Sequence, residues 1–175
     1  CYGAACDDEC CELGCDVDLA TLELILKHRD LIEPLINGGL APFGGISPFT
    51  DIEGCFSTGV VEDNDFIGGG YRSTAVRISD NRCAFHLPSK RGCALFHVWA
   101  IHKLPKKIIP TICRIYPLTW HRGRLFVDSP VRKLCKIREK PPKGVRAPSL
   151  LETQGKEVSE LFQIAIEKKT ARNPS

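Results

Sequence analysis

Four cysteines fall within the first eleven residues, Cys1, Cys6, Cys10 and Cys11, and Cys15 follows four positions later. Five more, Cys55, Cys83, Cys93, Cys113 and Cys135, are spread downstream. Thiols at this density constrain a fold strongly, because each must cross-link, ligate a metal or be buried as a small hydrophobe. Disulfide frameworks belong mainly to small secreted domains whose cores are too small to be stable alone. This chain has 175 residues, 43% of them hydrophobic, and its cysteines bunch at one end. That favours ligands of a borderline or soft metal, or of an iron–sulfur cluster, over a disulfide framework. A reducing, cytoplasmic compartment is the corresponding expectation.

The chain opens at Cys1 without a methionine, which reads as a trimmed or processed product; a removed secretory peptide and a lipid-modified Cys1 are the alternatives considered. No apolar run approaches the roughly 18 residues of a membrane span, so no membrane partner is expected. Charge is unevenly divided. Residues 1–70 carry fourteen acidic and two basic side chains, whereas residues 71–150 carry three acidic and eighteen basic ones. Halves of opposite sign are expected to attract each other within one globule.

The pattern along the chain predicts an α+β fold: a small, loop-rich single domain organised around a cysteine cluster. Asp18 is placed to cap a helix over 19–36, with Leu22, Ile25, Leu26, Ile32, Leu35 and Ile36 as its apolar stripe. Asn37-Gly38-Gly39 ends that helix, and a Gly/Pro-rich loop runs on to residue 54. Short strands are predicted over 56–61 and 72–78. Gly68-Gly69-Gly70 between them reads as a hairpin connection, since neither a helix nor a lysine follows in the register of a phosphate loop. A further hairpin is expected over 83–96, turning at 88–92. A mixed segment through Trp99 and Leu104 then leads to a short helix or turn over 106–115 and a strand at 125–127. The metal-binding domain is placed at 1–138 and a Pro/Gly/basic linker at 139–149. The C-terminal helix is placed at 150–170, packed on the same domain, where Ser149 and Glu152 have capping-box spacing.

A four-ligand site has to draw on separated pieces of chain. Cys83 and Cys93 flank the expected turn, in Cys83-Ala84-Phe85 and Gly92-Cys93-Ala94-Leu95-Phe96, and Cys113 opens Cys113-Arg114-Ile115-Tyr116-Pro117. The order CYGAACDDECC, CAF, GCALF, CRIYP and a late cysteine resembles the YkgJ-type cysteine-cluster family, described as a zinc- or iron-chelating or iron–sulfur domain. The likeness spans roughly 1–137, with a longer link between Phe96 and Cys113 than the family usually has. It implies Cys1, Cys6, Cys10, Cys11, Cys83, Cys93, Cys113 and Cys135 as metal ligands. Cys15 and Cys55 stand outside that set; Cys55 reads as a buried small hydrophobe. Cys15, His86 and His97 are secondary ligand candidates. Arg114, next to Cys113, suits an outer position neutralising the negative charge of thiolate ligation. Zinc is slightly favoured over an iron–sulfur cluster, and one centre or two remains open.

Two alternatives accompany this reading. The basic segment 103–146, with Tyr116, Trp120 and Phe126 interspersed, is a candidate nucleic-acid surface. The resemblance also extends to flagellin lysine N-methylases, which carry a related cysteine region, although no cofactor loop for methyl transfer is recognisable here. No catalytic residue and no protein partner is assigned.

Overall fold

The computed structural model describes residues 8–12, 14–37, 52–77, 80–88, 92–122, 124–127 and 150–163. Cys1, Cys6, Cys135, most of the expected loop over 38–54 and the linker at 139–149 lie outside them. The chain divides into two compact units, Cys1–Arg138 and Glu139–Ser175.

The fold is α+β. In the first unit, helices α1 (Leu19–Lys27), α2 (Arg29–Asn37), α3 (Ala94–His102) and α4 (Thr111–Ile115) combine with short antiparallel sheets and 3₁₀ turns at Glu9–Cys11, Glu53–Cys55 and Lys106–Ile108. Strands β1 (Asp16–Asp18), β2 (Val61–Glu62) and β3 (Gly70–Ser73) form a sheet in the order β1–β3–β2. β4 (Val76–Arg77) pairs with β5 (Arg82–Cys83), and β6 (Leu118–His121) with β7 (Arg124–Val127). Val17, Ile25, Ile32, Ile52, Phe85, Leu95, Val98, Ile108 and Ile109 are among the fully buried apolar side chains.

Asp18 caps α1 as expected: its carboxylate accepts from the Thr21 backbone N–H at 2.9 Å. The single helix predicted over 19–36 is instead two. His28 leaves helical geometry at φ −108° and ψ 25°. No glycine or proline marks the break; tertiary packing accounts for it. α1 lies on the 3₁₀ turn at 106–108, β1 and β3, whereas α2 packs on α3, so the two halves of one apolar stripe serve different supports.

The strand predicted over 72–78 is also divided. Through Ser73 it pairs with β1, Thr74 makes a single bridge to Phe56, and from Val76 it pairs with β5. The chain thus passes from one sheet to the next at residues 74 and 75. Of the strand expected over 56–61, the Phe56 bridge, with the Ser57 N–H donating to Ser73 O at 2.8 Å, and Val61 are paired; the Thr58-Gly59-Val60 stretch between them is exposed. The triple glycine does form a hairpin connection. Gly68 and Gly69 adopt φ +91° and +77°, and the Gly69 N–H donates to Phe66 O at 3.0 Å.

The segment read as mixed around Trp99 is helix α3. Its sequence, ALFHVWAIH, is apolar around most of the circumference, so it lacks the one-sided pattern by which a surface helix announces itself. In the second unit, α5 (Leu150–Phe162) ends short of the expected residue 170, and Gln163 at φ +51° takes the left-handed conformation that closes helices.

Candidate metal centre

Cys10 and Cys11 lie in the first 3₁₀ turn, Cys15 just ahead of β1, Cys83 in β5, Cys93 at the start of α3 and Cys113 in α4. All seven described cysteines, these six and Cys55, are free thiols. The six interact with one another. Cys10 and Cys11 share a side-chain hydrogen bond, and Cys15 is within hydrogen-bonding reach of both Cys113 and Cys83. The charges of Cys83 and Cys93 act on Cys11, and those of Cys83 and Cys113 act on Cys93.

These contacts set the thiol acidities. The hydrogen bond from Cys11 brings Cys10 down to about 7, against the opposing effect of burial. Cys11 is pushed up as the donor of that bond, then by burial and by the neighbouring thiolates. Hydrogen bonding to Cys15 brings Cys83 down to about 7, aided by Thr74, while Cys15 is raised by its bonds to Cys113 and Cys83. Burial first, then the charges of Cys83 and Cys113, raises Cys93. Ionising all six thiols in this poorly solvated space would set like charges against one another, and a cation among them would remove that penalty.

Thr74 is the hub of the Cys15 side. Its Oγ1 accepts from the Cys15 backbone N–H at 2.8 Å and lies 3.5 Å from the Cys83 sulfur and 4.0 Å from that of Cys15. The Thr74 N–H donates in turn to Cys15 O at 2.8 Å. This approach requires Gly14. It sits at φ +66°, and a Cβ there would come within 2.8 Å of Thr74 Oγ1. Gly14→Ala is therefore expected to destabilise the first unit by about 2 kcal/mol through left-handed strain and displacement of Thr74. Chemical denaturation checks it, and an unchanged midpoint would show that the contact is not tight.

A second network ties the Cys10–Cys11 turn to the Cys83–Cys93 segment. Asp8, 2% exposed and at φ +59°, accepts from the Gly92 N–H at 2.7 Å and contacts His86 Nε2 at 3.3 Å. Its backbone carbonyl accepts from Cys11 N–H and from Arg82 Nη1, both at 2.8 Å. On the other side of the imidazole, Arg77 Nη2 lies 3.3 Å from Nδ1. A guanidinium has only donors, so Nδ1 accepts and Nε2 carries the proton facing Asp8. Arg77 also donates to His86 O at 2.7 Å and to both Asp80 oxygens at 3.0 and 2.6 Å. Burial acts to raise the Asp80 carboxyl, but the Arg77 bonds and charge outweigh it and leave it below its usual value.

Arg114, buried beside Cys113, belongs to a third network. Its Nη2 donates to Thr111 Oγ1 at 3.2 Å, and Thr111 donates to the capping Asp18 at 3.3 Å. Of the remaining candidates, His86 has both ring nitrogens engaged and His97 is half-buried on α3. Cys55 is fully buried among apolar side chains, as a small hydrophobe would be. Trp120 packs at a tilt of 51° against Phe66 with ring centroids 5.2 Å apart and donates its indole N–H to Asp65 O at 3.0 Å, so it is not a free platform for a base.

Among the described residues, no group of three or more His, Cys, Asp or Glu side chains is arranged to hold a metal ion. Three of the eight expected ligands, Cys1, Cys6 and Cys135, lie outside those residues. In donor type the thiols that are described fit a soft or borderline ion. Sequence reasoning missed Asp8, Thr74 and Arg77, none of which carries a motif; their importance comes from burial and long-range hydrogen bonds. Among the described residues, no helix is long and apolar enough to cross a membrane. No family model, curated protein or solved structure matches the chain.

Proposed function

We propose that this protein binds a metal through thiolates, as zinc or as an iron–sulfur cluster, with Cys10, Cys11, Cys83, Cys93 and Cys113 among the ligands. Cys1, Cys6 and Cys135 complete the set that the YkgJ-type resemblance implies. One observation carries the reading: thiols from stretches far apart in sequence interact with one another inside one unit. A chain that needed its cysteines only as small hydrophobes would have no reason to gather them, because their ionised forms repel. Arg114, buried next to Cys113, supplies positive charge where thiolate ligation leaves an excess of negative. The metal, when bound, supplies the cross-link between segments; the chain's own groups orient the sulfurs and screen them from water.

Metal analysis of anaerobically purified, full-length protein tests this. Stoichiometric zinc or iron is expected, a broad visible absorption band marking iron–sulfur and a colourless metalloprotein marking zinc. Protein without metal and with all its thiols in disulfides would sink the proposal.

A further inference from the structure

Cys15 stands outside the ligand set that the resemblance implies, yet it has two thiol neighbours, Cys83 and Cys113. One S–H carries one proton and serves one acceptor at a time. Thr74 distinguishes the two neighbours. Its hydroxyl lies 4.0 Å from the Cys15 sulfur and 3.5 Å from that of Cys83. Thr74 N–H bonds to Cys15 O on one side, while Val76 pairs with Cys83 on the other. Cys15 and Cys83 thus meet across a single stretch of backbone, with the Thr74 hydroxyl accepting from the Cys83 thiol and facing the Cys15 sulfur.

We propose that Cys15 and Cys83 form a peroxide-reactive dithiol, a modification site open whenever the Cys83 sulfur is not held by a metal. The oxidant is hydrogen peroxide or a small hydroperoxide, of a size that suits a thiol as enclosed as Cys83. The Cys83 sulfur attacks the peroxide: an S–O bond forms, the O–O bond breaks, and hydroxide leaves with the thiol proton as water. Cys83 is then a sulfenic acid, oxidised by two electrons. The Cys15 sulfur attacks the Cys83 sulfur: the S–S bond forms, the S–O bond breaks, and the second hydroxide leaves with the Cys15 proton as water. Two thiols and one peroxide give one disulfide and two waters. This inference stands on the thiol geometry and does not require the metal.

The test uses the full-length reduced protein as purified, treated with a slight molar excess of hydrogen peroxide, acid-quenched and alkylated. Cleavage after glutamate, lysine and arginine isolates Cys15 in residues 13–23, Cys83 in 83–90 and Cys113 in 108–114. The 13–23 and 83–90 peptides are expected to be joined before any other cross-link appears. In Cys15→Ser, dimedone is expected to trap a sulfenic acid on 83–90 at least about fivefold more than in the parent. Joining of 13–23 to 108–114 first, or separate alkylation of both peptides while other thiols oxidise, overturns the inference. If Cys15→Ser fails to fold, the cross-link map of the parent decides alone. Metal measured before and during oxidation keeps the two proposals apart. A cross-link in protein purified without metal supports the dithiol and counts against metal binding; protein that carries stoichiometric metal but gives no 13–23 to 83–90 cross-link after chelation overturns the dithiol and leaves metal binding standing.

Discussion

Replacing Asp8 with alanine is expected to cost the first unit about 3 kcal/mol, the sum of two partly buried donors left unpartnered and alanine forced into left-handed backbone. The donors are the Gly92 N–H and the protonated nitrogen of His86. Both belong to the segment that presents Cys83 and Cys93, whereas Asp8 belongs to the turn that presents Cys10 and Cys11. The substitution therefore separates two thiol-bearing pieces as well as lowering stability. Asp8→Asn discriminates among causes. Asparagine tolerates positive φ, and its amide oxygen accepts from Gly92, so its loss should be about 1–2 kcal/mol. Denaturant titration of the reduced protein reads both values. Equal, small shifts for the two variants would mean that the Asp8 contacts do not couple the segments.

The sequence announced those features whose cause is local. Asp18 caps α1 because a carboxylate before an apolar stripe satisfies the helix's first amides. The triple glycine turns a hairpin because two of its residues need positive φ. Where neighbours from elsewhere in the chain decide the outcome, the pattern misled. The break at His28 follows from α1 and α2 having different supports, and the division at Thr74 from its position between two sheets. α3 escaped notice because an almost wholly apolar helix has no periodicity to detect.

The charge asymmetry was legible as a tendency and takes definite form in particular pairs. Arg82 reaches Glu12 at 3.4 Å, and Arg72 reaches Glu53 at 3.2 Å while lying over the Phe56 ring. These partly exposed pairs contribute little individually. What matters more for the candidate site is that Arg82 also holds the Asp8 carbonyl, so the basic half grips the backbone of the cysteine turn. The interactions among the six thiols, and the pivotal place of Cys15 among them, depend on those long-range contacts. Spacing made Cys15 a secondary ligand candidate beside the first cysteine run, but it did not show that Cys15 lies between Cys83 and Cys113.

On the proposed metal binding, removing the metal from the reduced protein is expected to cost on the order of 10 kcal/mol of folding free energy, as large as the whole stability of an ordinary domain, about 5–15 kcal/mol. The cooperative thermal transition should therefore vanish or fall by tens of degrees after chelation, and return when the metal is restored. The effect should be uneven. Ile25, Leu95 and Val98 are buried by apolar packing and need no metal to stay collapsed. By contrast, the amides of Cys11, Cys15 and Gly92 are held by Asp8 and Thr74 in segments that carry or adjoin the thiols. Hydrogen exchange should accelerate first at those three amides and later in α1 and α3. A chelated protein with an unchanged midpoint and unchanged exchange would show that the apolar core alone sustains the fold. The thiols would then be gathered for reactivity, not for structural ligation.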